Sequence, residues 1–520
     1  MKLQLLSLLS LSALASARFI ATTDSPDGTL HIGFKAKRSA DSRGHDERLR
    51  KRDDTLQVPL DNLYTYYNVE LELGTPAQTF NLLIDTGSSD LWVISETNRY
   101  CARTAAQFSS SSYFNCSISG TFAAGDSSTY QFNNSDFFIR YGDGTVAEGD
   151  WGMDTLTFSG QEITDMSFGL GNTTNSTMGV LGIGYPSNEA TTVLSDPYTY
   201  ANLPMRLAQA GIINTPAYSL WLNDINASEG NILFGGVDHA KYSGDLVSVP
   251  VLKASASATK PTSFTIAFDS LLFTTDGSSE EVLTDTIEAL LDSGTSLSYF
   301  PRNVAADLLD AFDASYYSQL GYYVQSCNLE GSLDYSFNGA NISVPFSSLL
   351  LPVTSRTGPA YFSNGEPVCA IGILPSSYKF ALLGDTFLRN AYVVYDLEND
   401  QIALAQANAN TTDSDIEAIV STIPSATPAS LYSATTGITL ESVTRGVRTT
   451  LSTASDGNVE TFTLSSEPSG TASGSSTRAS ASASETSSGA ASRIIIQSYS
   501  PMPALLLVVV FLASFCLVVV

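Results

Sequence analysis

The sequence predicts a mostly antiparallel β fold built as two lobes with a cleft between them, and three observations carry that expectation. The span from residue 53 to 407 is roughly 350 residues, too large for one hydrophobic core and well sized for two. It is dense in strand-length runs of Val, Ile, Thr, Tyr and Phe broken by Gly, Asn, Asp and Pro, and poor in helical patterns. One short pattern also occurs twice: Ile84-Asp85-Thr86-Gly87-Ser88-Ser89 and Leu291-Asp292-Ser293-Gly294-Thr295-Ser296. A pair of lobes can bring these two turns face to face.

In chain order, strand-like runs cover Tyr67 to Leu73 and Thr79 to Ile84, the latter ending at the first turn. Phe137 to Tyr141 leads into Tyr141-Gly142-Asp143-Gly144-Thr145, whose glycines suit a hairpin tip. A helix is expected over Tyr200 to Ala210, ended by Gly211. Near Gly244 to Lys260 the pattern weakens, which divides the N-terminal lobe, 53-250, from the C-terminal lobe, 251-407. Strands follow at Thr262 to Phe268 and at Ile287 to Leu291, which runs into the second turn. Val304, Leu308, Leu309 and Phe312 mark one face of a helix from Asn303 to Asp313, and Ala391 to Tyr395 closes the series. Downstream of each Asp comes an apolar pair and a Gly, Val180-Leu181-Gly182 and Leu382-Leu383-Gly384.

Each turn presents one carboxylate after an apolar strand. A single Asp-Thr-Gly is usually only a turn; its duplication with matching flanks is a chemical signal. Two acids at hydrogen-bonding distance cannot both ionise cheaply, so one proton is shared and the pair supplies a base and an acid together. That suits activation of water against a peptide carbonyl. Other chemistries lack residues. Of three His, His31 and His45 precede the expected maturation site, leaving His239 in a Gly-rich, surface-like context where a solvated role is expected. No nucleotide-binding Gly motif follows a strand. No metal and no cofactor are expected. Residues 53 to 489 hold 14 Lys+Arg against 47 Asp+Glu, 14 − 47 = −33, which repels nucleic acid and favours basic substrates.

With Asp90-Leu91-Trp92-Val93 after the first turn and the Tyr141 hairpin, the chain resembles the pepsin-like aspartic endopeptidases. Its layout looks like the yapsin branch of fungal cell-surface members. The resemblance implies a bilobal pepsin-like fold and peptide substrates, and a monomer is expected. It also implies roles residue by residue. Asp85 and Asp292 hold the water; Ser88 and Thr295 bond the outer carboxylate oxygens; Thr86 and Ser293 link the two turns, Ser293 standing where Thr is common. Tyr141 matches the flap tyrosine, against an ordinary strand-end aromatic, and Trp92 its backing tryptophan, against plain core packing. Asp143, two residues on, faces the side chain before the cut bond and would favour Lys or Arg there, or it merely supports the turn. Three disulfide pairings of four Cys are possible; Cys101–Cys116 and Cys327–Cys369 keep each bridge inside a lobe, and the second agrees with the family. Cys516 lies in an apolar terminal stretch.

The ends place the protein. Residues 1-17 carry Lys2, an apolar run and Ala15-Ser16-Ala17, a secretory signal. Residues 18-52 hold nine Lys or Arg against five Asp or Glu and end in Lys51-Arg52, a dibasic processing site with Lys37-Arg38 as competitor. Such a basic prosegment, laid across an acidic cleft, would be released by acid. Sequons begin at Asn115, Asn133, Asn172, Asn175, Asn226, Asn341 and Asn410. Residues 408-489 read as a Ser/Thr-rich, O-glycosylated stalk. In 490-520 a spacer and the uncharged Ala504 to Val520 follow small residues at Ser488 and Gly489, the pattern of a glycosylphosphatidylinositol signal, with a transmembrane helix as alternative. The cell surface, at the outer face of the plasma membrane or in the wall, is then the expected location. An active endopeptidase and a non-catalytic wall glycoprotein on the same fold are the two function classes; retention of both Asp residues with their hydroxyls favours the first.

Overall fold

A computed structural model describes residues 26–38, 65–108, 113–227, 229–255, 257–318, 320–355 and 358–429. Within them the chain is mostly β, as expected. Fourteen strands form one continuous sheet that runs from Thr427–Pro428 at one edge to Gln131–Arg140 at the other. Smaller sheets of five, four and four strands, drawn from residues 265 to 383, build the other half. The expected strands are present at Thr65–Leu73, Gln78–Asp85, Gln131–Arg140, Thr265–Phe268, Ile287–Leu291 and Ala391–Asp396. The two expected helices are present at Leu203–Gln209 and Arg302–Ala311. The second buries Val304, Leu308 and Leu309, the face its spacing marks.

The halves are built alike where it matters. Gln78–Asp85 runs parallel to Val180–Gly182, with Asp85 opposite Gly182, and Leu91–Ile94 lies antiparallel on the other side of that short strand. Ile287–Leu291 runs parallel to Ala381–Leu383, with Leu291 opposite Leu383, and Ser298–Pro301 lies antiparallel through Tyr299 and Leu382. Each apolar pair before a Gly is thus a buried strand wedged between the arms of an Asp turn. Parallel pairing buries both faces, so these strands are continuously apolar.

Four placements differ from expectation. Within the segment 18-52, Leu30–Arg38 is a strand of the large sheet, between Glu229–Phe234 and Thr65–Leu73, and is not laid across the cleft. Its alternating Leu30, Ile32 and Phe34 are buried, and that apolar face outweighs the basic charge in deciding where the segment goes. The halves are not sequential on either side of residue 250 either: Ala391–Asp396 and Gln401–Ala407 return to pair with Ala217–Trp221 and Tyr242–Pro250 in the large sheet. Residues 408–429, expected to open the stalk, are instead folded onto the enzyme. Ile416–Ala418 pairs with Gly236–Asp238, and Ile419 and Ile423 are buried. Lys241 Nζ donates to the carbonyls of Thr411 (3.2 Å) and Asp413 (2.7 Å). His239, expected to be solvated, is half-buried there between Tyr242 Oη (2.7 Å) and Glu417 (3.0 Å). Lys51, Arg52, Ser488, Gly489 and Cys516 lie outside the described residues, as do 1-17 and 490-520. Among the described residues no helix is long and apolar enough to cross a membrane.

Candidate active site

Both turns hold their carboxylates by the same device. Asp85 Oδ1 accepts from Gly87 N (2.8 Å) and Oδ2 from Ser88 Oγ (2.5 Å). Asp292 Oδ1 accepts from Gly294 N (2.8 Å) and Oδ2 from Thr295 Oγ1 (2.7 Å). A tight turn directs the amide two residues on back at the acid, and the hydroxyl three residues on reaches the other oxygen. The turns are then clasped to one another. Thr86 N donates to Ser293 Oγ (3.2 Å) and Ser293 N to Thr86 Oγ1 (3.0 Å), while Thr86 Oγ1 donates to Leu291 O (2.9 Å) and Ser293 Oγ to Ile84 O (3.0 Å). Ser293 needs only its hydroxyl for this, so the absent methyl costs none of these bonds.

The clasp brings Asp85 and Asp292 into hydrogen-bonding contact. Glycine permits the approach: a Cβ on Gly87 would lie 2.6 Å from Asp292 Oδ1, and one on Gly294 2.5 Å from Asp85 Oδ1. Asp292 is fully buried, and burial first, the charge of Asp85 second, push its carboxyl well above the usual carboxylate range. Thr295 and Gly294 pull the other way by bonding the ionised form.

Tyr141 lies at the hairpin tip, and its Oη accepts from Trp92 Nε1 at 2.9 Å. Burial and the charge of Asp85 push the phenol well above its ordinary value, so it stays protonated. Trp92 is also completely buried and heads a row of rings, Phe137 at 6.3 Å, then Trp151 at 5.0 Å and Tyr200 at 5.6 Å. Asp143 turns its carboxylate onto its own hairpin. Oδ1 accepts from Thr145 N (2.7 Å) and Oδ2 from Thr145 Oγ1 (2.8 Å), the turn-supporting arrangement.

Sequence reasoning missed an acidic cluster behind the first turn. Asp90, buried, accepts from Tyr200 Oη (2.7 Å) and Ala190 N (2.9 Å). Glu189 accepts from Tyr200 N (2.8 Å), and its other oxygen has no hydrogen-bond partner among the described residues. Burial pushes Asp90 up to about 6 and Glu189 to about 9. Behind the second turn, buried Asp385 is pushed well above its usual range by burial, against the pull of Arg389. An acid between Ser89 and the apolar strand Leu91–Ile94 was the one signal available.

The bridges Cys101–Cys116 and Cys327–Cys369 are formed, with Cα separations of 5.5 and 5.0 Å. Asn115, Asn133, Asn226, Asn341 and Asn410 are exposed, whereas Asn172 and Asn175 are half-buried. The Asn172 amide donates to Asp150 (2.7 Å).

Residues 66–407 match the family model described as eukaryotic aspartyl protease. Aspartic proteinase 3 of Saccharomyces cerevisiae is 37% identical over 85% of this chain and 84% of its own length. Aspartic proteinase yapsin-3 of the same organism is 38% identical over 84% of each chain. The probable aspartic-type endopeptidase opsB of Aspergillus fumigatus is 39% identical over 77% of this chain and 81% of its own. A duplicated Asp turn, joined across two similarly wound halves and matched over this length, makes the chain a member of the eukaryotic aspartyl protease family and a peptide hydrolase.

Proposed function

We propose that the protein is an anchored cell-surface endopeptidase in which Asp85 and Asp292 activate one water against a peptide carbonyl. The observation that carries this is the reciprocal Thr86–Ser293 clasp, which sets the two carboxylates against each other. Asp292, whose burial favours the neutral form, holds the shared proton and gives it to the carbonyl oxygen. Asp85 takes a proton from the attacking water, and a tetrahedral diol forms without an acyl-enzyme. Tyr141 closes over the substrate. Pepstatin-like inhibitors, which put a hydroxyl between the acids, should bind at this point and block cleavage of a peptide mixture; uninhibited cleavage would refute the assignment.

Maturation at Lys51-Arg52, glycosylphosphatidylinositol attachment at Ser488 or Gly489, and a preference for basic residues complete the reading. The preference rests on the −33 charge of residues 53 to 489 and on the carboxylate that Asp143 places at the hairpin tip, two residues after Tyr141. Asp143→Ser should lower kcat/KM for Lys or Arg before the cut by roughly ten- to a hundredfold, the loss of one charge-assisted contact, and spare Leu or Phe. Equal losses would leave Asp143 as a turn support. Phosphatidylinositol-specific phospholipase should release the protein into the medium; a mature protein that retains Leu505 to Val520 by mass spectrometry would replace the lipid anchor with a helix.

A further inference from the structure

The hairpin tip around Asp143 is held together by its own bonds, Tyr141 N to Thr145 O (2.8 Å) and Gly144 N to Tyr141 O (3.1 Å). Gly144 stands at φ +87° in open space. Such a tip needs a contact from outside to fix its height above the dyad. One comes from Trp92 to Tyr141. Another comes from Asn175: Val146 N donates to Asn175 Oδ1 at 2.7 Å, Asn175 Nδ2 donates to Gly144 O at 3.4 Å, and Asn175 N donates to Val146 O at 3.3 Å.

Asn175 is itself rigidly seated. Thr174, buried, exchanges bonds with the fully buried Asn98, Thr174 N to Oδ1 (3.3 Å) and Asn98 Nδ2 to Thr174 O (3.2 Å). Ser176 N donates to Thr174 Oγ1 (3.0 Å), and Ser176 Oγ donates to Met178 O (2.7 Å). Gly179 O then accepts from Leu83 N (3.1 Å), and Val180–Gly182 runs beside Leu83 to Asp85. The seat of Asn175 is therefore in register with the strand that ends at the first catalytic turn.

We propose that Asn175 is a positioning residue for the flap, and that its unmodified side-chain amide latches the hairpin tip over the dyad. The same residue opens the sequon Asn175-Ser176-Thr177. A glycan is attached through Nδ2, the atom that here faces Gly144 O, so a sugar there would crowd the tip and compete with the latch. Asn175 should consequently stay unmodified in active protein, while the exposed sequons remain available.

The test uses the full-length protein, secreted and matured by a fungal host, with active sites titrated by a tight dyad-directed inhibitor so that misfolded material is not counted. Asn175→Ala should lower kcat/KM per titrated site roughly tenfold, chiefly through KM, since one short and one long hydrogen bond are lost. Thr177→Val removes the sequon and leaves the amide, and should stay within twofold of the parent. Peptide mapping of the unmutated protein should find Asn175 unmodified. Unchanged kinetics in Asn175→Ala, an equal loss in Thr177→Val, or full glycosylation of Asn175 in active protein would each overturn the latch. The mapping decides alone if Asn175→Ala is not secreted. The inference rests on Tyr141 marking the flap, so Tyr141→Ala runs in parallel. If it leaves cleavage intact the flap reading fails, whereas a loss there beside an unaffected Asn175→Ala fails the latch only.

Discussion

The two Asp turns share their backbone and differ in what stands behind them. Ser88 and Thr295 bond the outer oxygens equivalently, and Thr86 and Ser293 exchange bonds as near equals. After the wedge glycine, however, the first half places buried Ile183 and the second buried Asp385; after the turn, the first half places Asp90 and the second Leu297. The first half also sets a hairpin tyrosine, Tyr141, against Trp92 and within the influence of the Asp85 charge. The halves therefore supply the same hydrogen-bond partners to the two carboxylates but unequal surroundings, and unequal surroundings would let two identical acids take opposite roles in the proposed mechanism.

The largest effect should come from removing either member of the pair. Asp85→Asn and Asp292→Asn keep the shape but cannot exchange the proton, and each should reduce cleavage about 10⁴-fold with secretion retained, read by peptide turnover per mole of folded protein. A large residual in one mutant alone would show that the halves are less equivalent than their bonds. Next, Gly87→Ala and Gly294→Ala should each cost roughly a hundredfold, because either Cβ collides with the opposite carboxylate and displaces it by about 1 Å. Similar losses confirm the symmetry of the approach; a harmless Gly87→Ala would break it.

Tyr141→Phe deletes the acceptor of the Trp92 bond and should lower kcat/KM about 2- to 10-fold, the worth of one neutral hydrogen bond. No change would mean that ring packing alone seats the flap. Stability should then depend on pH in a way that ranks the halves. Glu189 in the first half is raised from 4.5 to about 9, and Glu288 in the second to about 7, in both cases mainly by burial. A carboxyl raised on folding contributes fully below its unfolded value, and that contribution is lost as pH rises through the folded value. Melting temperature should thus fall from pH 5 to 9. Glu189→Gln should flatten that fall further up the pH scale than Glu288→Gln, measured by thermal scans across the range. The smallest difference concerns the bridges. Cys327–Cys369 spans 42 positions and Cys101–Cys116 spans 15, so chain entropy makes loss of the former costlier by about 0.9 kcal/mol, checked by denaturation of the two double Cys→Ser variants.

Much of the catalytic centre was legible because it depends on local chemistry. The Asp-Thr-Gly and Asp-Ser-Gly turns specify their own hydrogen bonds within three residues, and the apolar strands before them show as unbroken runs. Long-range placement was less legible. Leu30–Arg38 reads as a basic segment because charge is conspicuous in a sequence, whereas its period-two apolar face is short and decides the outcome only when Glu229–Phe234 and Thr65–Leu73 leave a slot between them. Residues 408–429 read as the start of a Ser/Thr stalk for the same reason: two buried isoleucines and strands of three and two residues are too sparse to mark an element until Gly236–Asp238 and Tyr242–Pro250 offer partners.

The sequence by itself determined the fold class, the two carboxylates with their hydroxyls, the Tyr141 hairpin and the wedge strands, because turn geometry and strand periodicity are written within a few residues. Only the tertiary structure decided that Asp143 spends both oxygens on its own turn, that Asp90, Glu189 and Tyr200 form a buried acidic cluster, and that Asn175 reaches the flap tip. Those contacts join residues 2 to 110 positions apart. Their strength depends on burial, which removes competing water, and burial is a property of the packed halves rather than of any segment.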